Sequence, residues 1–184
     1  MSDRAEQLCD RARSGELSAA SELVSLFYER IFAYFRRLSG NDSDAADLTQ
    51  KTFFKVWLSL SSFQGRSRFS TWLHGIAHHV YVDWRRRSHP VDPQTDEWWR
   101  NRVADGPSPF DDAAERELAG QLFALVDTLD DETRETVHLH YYQGLSLSET
   151  AEALGIATST VKYRLREAIG HLRSRTAEPK LRTS

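Results

Sequence analysis

Apolar residues recur every three or four positions along this chain, which is the spacing of one face of an α-helix. The first half carries three such stripes: Leu23, Phe27, Ile31, Phe35 and Leu38; Leu48, Phe53, Val56, Trp57 and Leu60; Leu73, Ile76, Ala77, Val80 and Trp84. Gly40 stands where the first helix needs a C-terminal cap, and Ser70 where the third needs an N-terminal cap. The second helix is expected to begin near Ser43 or Asp44. Strand-like alternation is absent, so the pattern predicts an all-α fold.

The second half repeats the helical spacing. Its apolar positions fall into two groups: Leu118, Leu122, Leu125, Val126 and Leu129, then Val137, Leu139 and Tyr141. Asp130 lies between the groups and is expected to cap the second helix, which stops at Gly144.

A helix-turn-helix is predicted at the C-terminal end of this half. Ser146 and Glu149 match a capping box that opens a short helix, and Gly155 breaks it. A longer helix follows from about Thr158 to Arg173, with Thr158 as its expected cap. A short helix, a glycine turn and a longer helix together are typical of this motif.

Composition divides the chain into two small helical domains joined by a flexible linker. Four of the five prolines fall within an acidic stretch, so we assign a linker to 89–112, with a short helix possible around 95–103. The predicted domains are therefore 1–88 and 113–176, with a tail at 177–184. The chain has one cysteine and no apolar run long enough to span a bilayer, which favours a cytoplasmic protein without membrane insertion.

Charge is segregated along the chain, although its total is only −3. Residues 114–156 carry a net charge of −7, whereas residues 157–176 carry +4. A recognition helix needs short polar residues at its N-terminus and basic groups beside them. The last helix supplies both: Thr158, Ser159, Thr160, Lys162, Tyr163, Arg164 and Arg166. The sequence therefore predicts DNA binding on this helix; the alternative is an ordinary helical hairpin with a basic outer face.

A second candidate is the segment from Arg66 to Arg87, which interleaves arginines with aromatic residues. Aromatic rings stack on unpaired bases while guanidinium groups hold the backbone, as in single-strand binding. The alternative interpretation is a core helix that ends in solvated arginines.

Catalytic and metal chemistry are not indicated. His74 and His78 share a helix face, but no further ligands stand at suitable spacing, so no metal and no other cofactor is predicted. A phosphate-binding glycine loop and a nucleophile elbow are also absent from the sequence. We do not expect an enzyme.

Three segments of the chain resemble bacterial sigma factors of the extracytoplasmic-function (ECF) group. They are DSDAADLTQKTFFKVW, FQGRSRFSTWLHGIAHHVYVDWRRR and GLSLSETAEALGIATSTVKYRLREAIGHLR, and they occur in the order of that family. The resemblance implies a subunit that directs RNA polymerase core to promoters and initiates transcription. The N-terminal domain would contact the polymerase clamp and melt the −10 element. The C-terminal domain would read the −35 element, beside the flap.

The resemblance also implies roles for individual residues. The clamp would meet Asp44, Asp47, Thr49, Gln50, Phe54 and Trp57. The −10 strand would meet Arg66, Arg68, Trp72, His79, Asp83 and Arg86, with the loop 61–68 accepting a flipped base. The −35 duplex would meet the seven residues of the recognition helix given above.

The chain departs from the family where an acid usually stands, at Ala46 and Lys51. Lys51 can pair with Asp47, four residues earlier, which removes further negative potential from the clamp-facing side. Phosphorylation of a nearby hydroxyl would restore this potential. The candidates are Ser43, Thr49 and Thr52, so both an anti-sigma factor and a Ser/Thr kinase remain open as regulators. The alternative is that the polymerase clamp tolerates fewer acids, with apolar contacts from Phe54 and Trp57 compensating.

Two alternatives to a sigma factor remain open at this stage. One is a helix-turn-helix transcription regulator whose N-terminal domain serves only in protein interaction. The other is an RNA-binding or metal-sensing helical protein.

Overall fold

The computed structural model describes residues 2–88, 120 and 122–177, and it forms helices without any strand in these ranges. The predicted all-α class is thereby confirmed. The helices are α1 (Ser2–Arg13), α2 (Leu17–Ser39), α3 (Asp42–Ser59), α4 (Phe69–Ser88), α5 (Asp131–Val137), α6 (Leu147–Leu154) and α7 (Thr158–Ala177). We refer to 2–88 as the N-terminal domain and to 122–177 as the C-terminal domain. The predicted linker and the helix expected around 95–103 lie outside the described residues.

The chain begins with a helix that the apolar stripes did not indicate. The residues that α1 buries have i, i+3, i+4, i+7 spacing: Ala5, Leu8, Cys9 and Ala12. Glu6 of α1 accepts a hydrogen bond from the backbone N–H of Phe69 at 2.9 Å, which satisfies a donor at the start of α4. The prediction that Ser70 caps this helix is wrong, because α4 already begins at Phe69.

The turn between α2 and α3 follows the predicted capping pattern. Gly40 has φ 77° and donates its N–H to the carbonyl of Arg36 at 2.9 Å, so the expected C-cap is confirmed. Asn41 caps α3 by accepting from the N–H of Asp44 at 2.8 Å. α3 therefore begins at Asp42, slightly earlier than predicted.

The helix after Asp130 changes its pitch before it ends. Asp130 accepts from the N–H of Thr133 at 2.9 Å, which confirms the predicted cap. α5 then continues as a π-helical turn over His138–Tyr142. The wider turn rotates the side chains that follow, so that His138 is buried and Tyr141 is 58% exposed. The prediction that Tyr141 belongs to the apolar stripe is wrong for this reason.

The predicted helix-turn-helix is present. Ser146 and Glu149 form the expected capping box at the start of α6, and Gly155 ends the helix with φ 65°. α7 follows, but its N-cap position is Ala157, whose carbonyl accepts the first helical hydrogen bonds. Thr158 is consequently the first residue of the helix and does not cap it, contrary to the prediction.

The two domains pack against each other, chiefly along α4 and α6. Four residues of the C-terminal domain join the N-terminal core: Leu139, Leu145, Ala153 and Leu154. At the centre of the contact, a Cβ at Gly75 would lie 3.7 Å from the carbonyl oxygen of Ala153. A methyl group therefore fits at this position in ordinary van der Waals contact. We call this packed form the closed arrangement.

Candidate nucleic-acid and polymerase interfaces

The outer face of α7 projects polar and basic side chains into solvent. Val161, Leu165 and Ala168 anchor the opposite face in the core. Of the predicted −35 residues, those exposed are Ser159, Lys162, Tyr163 and Arg166, while Thr158 and Thr160 are half-buried in the first turn. The helix thus presents hydroxyl groups and cations on one preformed convex surface, which suits insertion into a major groove.

Arg164 differs from the other cations of this helix. Its side chain is only 17% exposed, and its guanidinium pairs with the carboxylate of Glu132 on α5. The pair ties α7 to α5 inside the C-terminal domain. The sequence placed Arg164 among the DNA-facing residues, but the structure gives it a contact within the protein.

Trp72 on α4 belongs to an aromatic cluster. Its ring centroid lies 4.8 Å from that of Phe63 and 5.7 Å from that of Phe69, and the indole is half-buried. The cluster fixes the orientation of the ring and leaves part of it accessible. A rigid, partly exposed indole is a suitable stacking platform for an unpaired base.

The loop before α4 carries the two arginines predicted to meet the −10 strand. Arg66 and Arg68 are both exposed, and Arg68 forms an ion pair with Glu149 of α6 at 3.4 Å. Burial acts to raise the pKa of Glu149. Its hydrogen bonds with Ser146 and the positive charge of Arg68 outweigh burial, so that the pKa lies below its usual value. In the closed arrangement, therefore, Glu149 of the C-terminal domain pairs with Arg68, one of the two arginines of this loop predicted to bind the −10 strand.

The C-terminal half of α4 brings His79, Asp83 and Arg86 to the surface, with His79 and Arg86 exposed. Arg86 donates a hydrogen bond to Asp83 at 2.5 Å, and the Lys55 ammonium lies 3.8 Å from the same carboxylate. The hydrogen bond from Arg86 lowers the pKa of Asp83, and nearby positive charges act in the same direction. Asp83 therefore orients two cations along this surface.

The predicted clamp-facing side of α3 is mostly exposed. Phe54 is 63% and Trp57 47% exposed, although Trp57 also belonged to a predicted apolar stripe. Asp47 and Gln50 are exposed, and Asp47 pairs with Lys51 as the spacing predicted. Asp44 is half-buried beside Asn41. Leu58, 66% exposed, extends the patch and was missed because sequence position alone does not distinguish it from a core leucine.

Two threonines of α3 do not lie on that surface. Thr49 and Thr52 are fully buried, and the Thr52 hydroxyl donates to the carbonyl of Leu48 at 2.8 Å. The prediction that Thr49 contacts the clamp is wrong in this fold, and neither threonine is accessible to a kinase. Ser43 is exposed in the first turn of α3 and is the predicted phosphorylation site that remains accessible.

A set of polar contacts between the domains was not predicted from the sequence. Tyr34 of α2 donates its hydroxyl to the carboxylate of Glu135 on α5, and that carboxylate lies 2.8 Å from Nδ1 of His78. Arg30 donates to the carbonyl of Gln143 at 2.7 Å. Three further contacts complete the set: Arg85 with Asp131 at 3.1 Å, and Arg37 over the rings of Phe123 and Tyr142. No local pattern links residues that are so distant along the chain.

The histidines of α4 that raised a metal question are engaged otherwise. Nδ1 of His74 lies 2.7 Å from the carbonyl of Ser70, and His78 contacts Glu135. In the described ranges, no group of three or more potential ligands could hold a metal ion. No helix among these residues is long and apolar enough to cross a membrane.

The sequence matches two family descriptions, one in each domain. Sigma-70 region 2 matches residues 23–90, and Sigma-70, region 4 matches residues 125–174. The first contains α3, α4 and most of α2; the second contains the helix-turn-helix.

Curated relatives match across both domains. The ECF RNA polymerase sigma factor SigW of Bacillus subtilis is 30% identical over 170 residues, covering 86% of this chain and 91% of its own. The ECF RNA polymerase sigma factor SigF of Caulobacter vibrioides is 30% identical over 178 residues, covering 94% and 93%. Such coverage extends the likeness well beyond the helix-turn-helix that many regulators share.

Among solved structures, CnrH in complex with the cytosolic domain of CnrY matches with a TM-score of 0.70 and 25% identity, covering 98% of this chain and 100% of that one. The sigma factor RpoE in complex with the anti-sigma factor NepR, from Bartonella quintana, has the same fold, with a TM-score of 0.70, 22% identity and coverage of 87% and 98%. Sequence, fold and surface chemistry agree: the chain belongs to the ECF family of RNA polymerase sigma factors.

Proposed function

We propose that this sigma factor binds core polymerase through α3, reads the −35 element with α7 and holds the melted −10 strand against α4. The observation that carries the proposal is the presence on one chain of two surfaces with different chemistry. One is a preformed cationic helix, and the other is a ring platform whose preceding loop carries two exposed arginines. A duplex reader alone has no need for the second surface.

For the −35 element, Lys162 and Arg166 supply the cations that meet phosphates, and Ser159 and Tyr163 supply hydroxyl groups near base edges. Each is exposed and extends from a helix whose inner face is fixed in the core. Phosphate contacts set the register of the helix, and contacts to base edges specify the sequence.

For the −10 element, a flipped base requires a pocket or platform outside the duplex. The loop 61–68 leads directly into Trp72, whose ring is held by Phe63 and Phe69. Arg66 precedes this platform in the loop, and Arg86 lies farther along α4 on the proposed path of the strand. Stacking on such a ring stabilises an unpaired base by about 1–3 kcal/mol.

For core polymerase, the exposed patch of Phe54, Trp57 and Leu58 is the proposed centre of the clamp contact. Exposed aromatic and aliphatic residues bordered by polar groups are typical of protein interfaces. Gln50 and the Asp47–Lys51 pair form that border. By family resemblance, the C-terminal domain contacts the flap.

The protein acts as a binding subunit and not as an enzyme, in the cytoplasm.

The closed arrangement must open before both elements can be bound. The −35 and −10 elements lie about 25 base pairs apart, which is roughly 85 Å of duplex at 3.4 Å per step. A compact body of the size of the described domains has a diameter of about 40 Å. The 31 residues between Ser88 and Gly120 have a maximum contour length of about 100 Å, which is long enough for separated domains to reach both elements.

Regulation acts on this opening or on the clamp-facing surface. We propose that an anti-sigma protein retains the closed arrangement, or that a Ser/Thr kinase adds charge at Ser43. Ser43 is exposed near the N-terminus of α3, where negative charge is favourable.

The deciding experiment combines the purified protein with core polymerase and a library of promoter fragments. Promoter-specific initiation is the expected result. Binding to duplex without initiation would instead identify a helix-turn-helix regulator whose N-terminal domain serves in protein interaction. A Trp57→Ala variant, which removes the proposed clamp contact, should lose initiation while retaining duplex binding.

A further inference from the structure

The interface between the two domains buries ionisable side chains that the proposed function does not use. His74 of α4 and His138 of the π-helical turn are each 1% exposed. His78 lies nearby, with its side chain 16% exposed. Histidine is the side chain that ordinarily changes charge between pH 5 and 8, so its burial at a contact that must open is a potential control point.

His138 is buried without a counter-ion. Neither ring nitrogen has a hydrogen-bond partner within the described residues. Its ring lies 5.0 Å from that of Tyr142, which is in turn covered by the guanidinium of Arg37 from the N-terminal domain. Arg37 on α2 and Arg134 on α5 are the charged groups that act on it. A proton on His138 would therefore place a third cation beside two arginines.

His74 faces the same interface from the other side. Its Nδ1 lies 2.7 Å from the carbonyl of Ser70, and its Nε2 has no hydrogen-bond partner in the described part of the chain. The ring packs edge-on against Tyr34 at 6.1 Å. Arg30 of α2 and Gln143 of the C-terminal domain are its other polar neighbours. Here too, the charge that faces the ring is positive.

His78 has the opposite environment. Its Nδ1 lies 2.8 Å from the carboxylate of Glu135, which also accepts the Tyr34 hydroxyl. Of the three histidines, two therefore face positive charge in the closed arrangement, whereas His78 faces a carboxylate.

We propose that proton uptake by His74 and His138 opens the closed arrangement, which makes the interface an acid-sensitive control on promoter binding. Only the effect on promoter binding rests on the proposed function, since the opening itself requires neither polymerase nor DNA. Separating the domains moves Gln143 away from His74 and moves the guanidinium of Arg37 away from His138. Both rings then meet water, where a charged imidazole is stable.

The sign of the effect follows from the pKa values. Burial lowers the pKa of His74 to about 4 and that of His138 to about 3. Nearby arginines act in the same direction, whereas hydrogen bonding with Ser70 and Gln143 opposes the change at His74. A solvated histidine titrates near 6.5. The closed arrangement is therefore favoured above that pH and weakens as the pH falls from 6.5 towards 4. From pH 7.5 to 5.5, each histidine raises the opening equilibrium about tenfold, and both raise it about 100-fold.

The test is single-molecule energy transfer between dyes on Ser21→Cys and Glu167→Cys, both exposed positions on different domains. Cys9 stays unlabelled because it is buried and its pKa is raised to about 11, by burial and by the charges of Glu6 and Asp10. The full-length protein is followed from pH 7.5 to 5.5, with circular dichroism recorded at each pH.

The quantity compared is the slope of the logarithm of the opening equilibrium against pH. His74→Gln and His138→Gln should each remove about one half of the slope, and the double variant nearly all of it. His171→Gln is the matched control, because His171 bonds to Thr128 within the C-terminal domain.

Slope is used because a substitution that merely loosens the packing shifts the equilibrium equally at every pH. A slope that survives in the double variant would overturn the proposal. So would domains that are already separated at pH 7.5. Neither result bears on promoter-specific initiation, which is measured separately at a fixed pH.

Discussion

The two proposed nucleic-acid surfaces of this protein are built in different ways. The exposed residues of α7 project from a helix with a fixed inner face, and Lys162, Tyr163 and Arg166 stand in solvent. On α4 and its preceding loop, the corresponding residues are engaged: Trp72 in an aromatic cluster, Arg86 with Asp83, and Arg68 with Glu149. A duplex can dock on a surface that is ready, whereas a melted strand must displace contacts that the free protein already makes.

The largest difference should appear when one aromatic residue is removed from each surface. Trp72→Ala should lower the free energy of unfolding by about 3 kcal/mol, because the half-buried indole fills the cluster with Phe63 and Phe69. Tyr163→Ala is the matched control; its side chain is 59% exposed, so the change should stay within about 0.5 kcal/mol. Urea denaturation measures both. Equal losses would show that the two rings are not held differently.

Trp72→Phe keeps the cluster while reducing the stacking surface. It should weaken binding to a pre-melted −10 bubble more than binding to the −35 duplex. Equal weakening on both probes, measured by fluorescence anisotropy, would remove the ring from the strand contact.

The exposed cations of α7 should each contribute a separable phosphate contact. Lys162→Ala and Arg166→Ala are each expected to weaken −35 duplex binding by about tenfold and to reduce the salt slope by about one. Arg175→Ala, at the far end of the same helix, is the control and should change neither quantity. A salt titration in which all three variants match the original protein would exclude this face of α7 from the interface.

The smallest expected effect concerns Arg164. Because its guanidinium pairs with Glu132, Arg164→Ala should lower the free energy of unfolding by about 1 kcal/mol or less and leave the salt slope unchanged. Glu132→Ala should produce a similar loss, and the double variant should lose little more than either single variant. A salt slope reduced by one in Arg164→Ala would show that this residue contacts DNA.

Most capping features decided by neighbouring residues were predictable from the sequence, although the caps expected at Ser70 and Thr158 were wrong. Gly40, Asp130 and the Ser146–Glu149 box each act over one turn, and each was found as expected. The exposed residues of α7 were also predictable, since the apolar spacing of Val161 and Leu165 fixes which face remains outside.

Features decided by tertiary packing were not predictable from the sequence. Thr49 and Thr52 read as polar surface residues, yet they are enclosed, with Thr52 satisfied by a carbonyl of its own helix. The π-helical turn that buries His138 has no local signature. Arg164 resembles any other cation of the recognition helix until Glu132 is placed beside it.

On the proposed mechanism, the closed arrangement must open before the promoter can be used. A disulfide between Gly75→Cys and Ala153→Cys would prevent this opening, since a Cβ at position 75 would lie 3.8 Å from the Cα of Ala153. Oxidised protein should still bind an isolated −35 duplex but fail to initiate transcription with core polymerase, and reduction should restore initiation. Gly75→Ala, which fits the contact, is the control for the substitution itself. Full initiation by the oxidised protein would show that the domains need not separate.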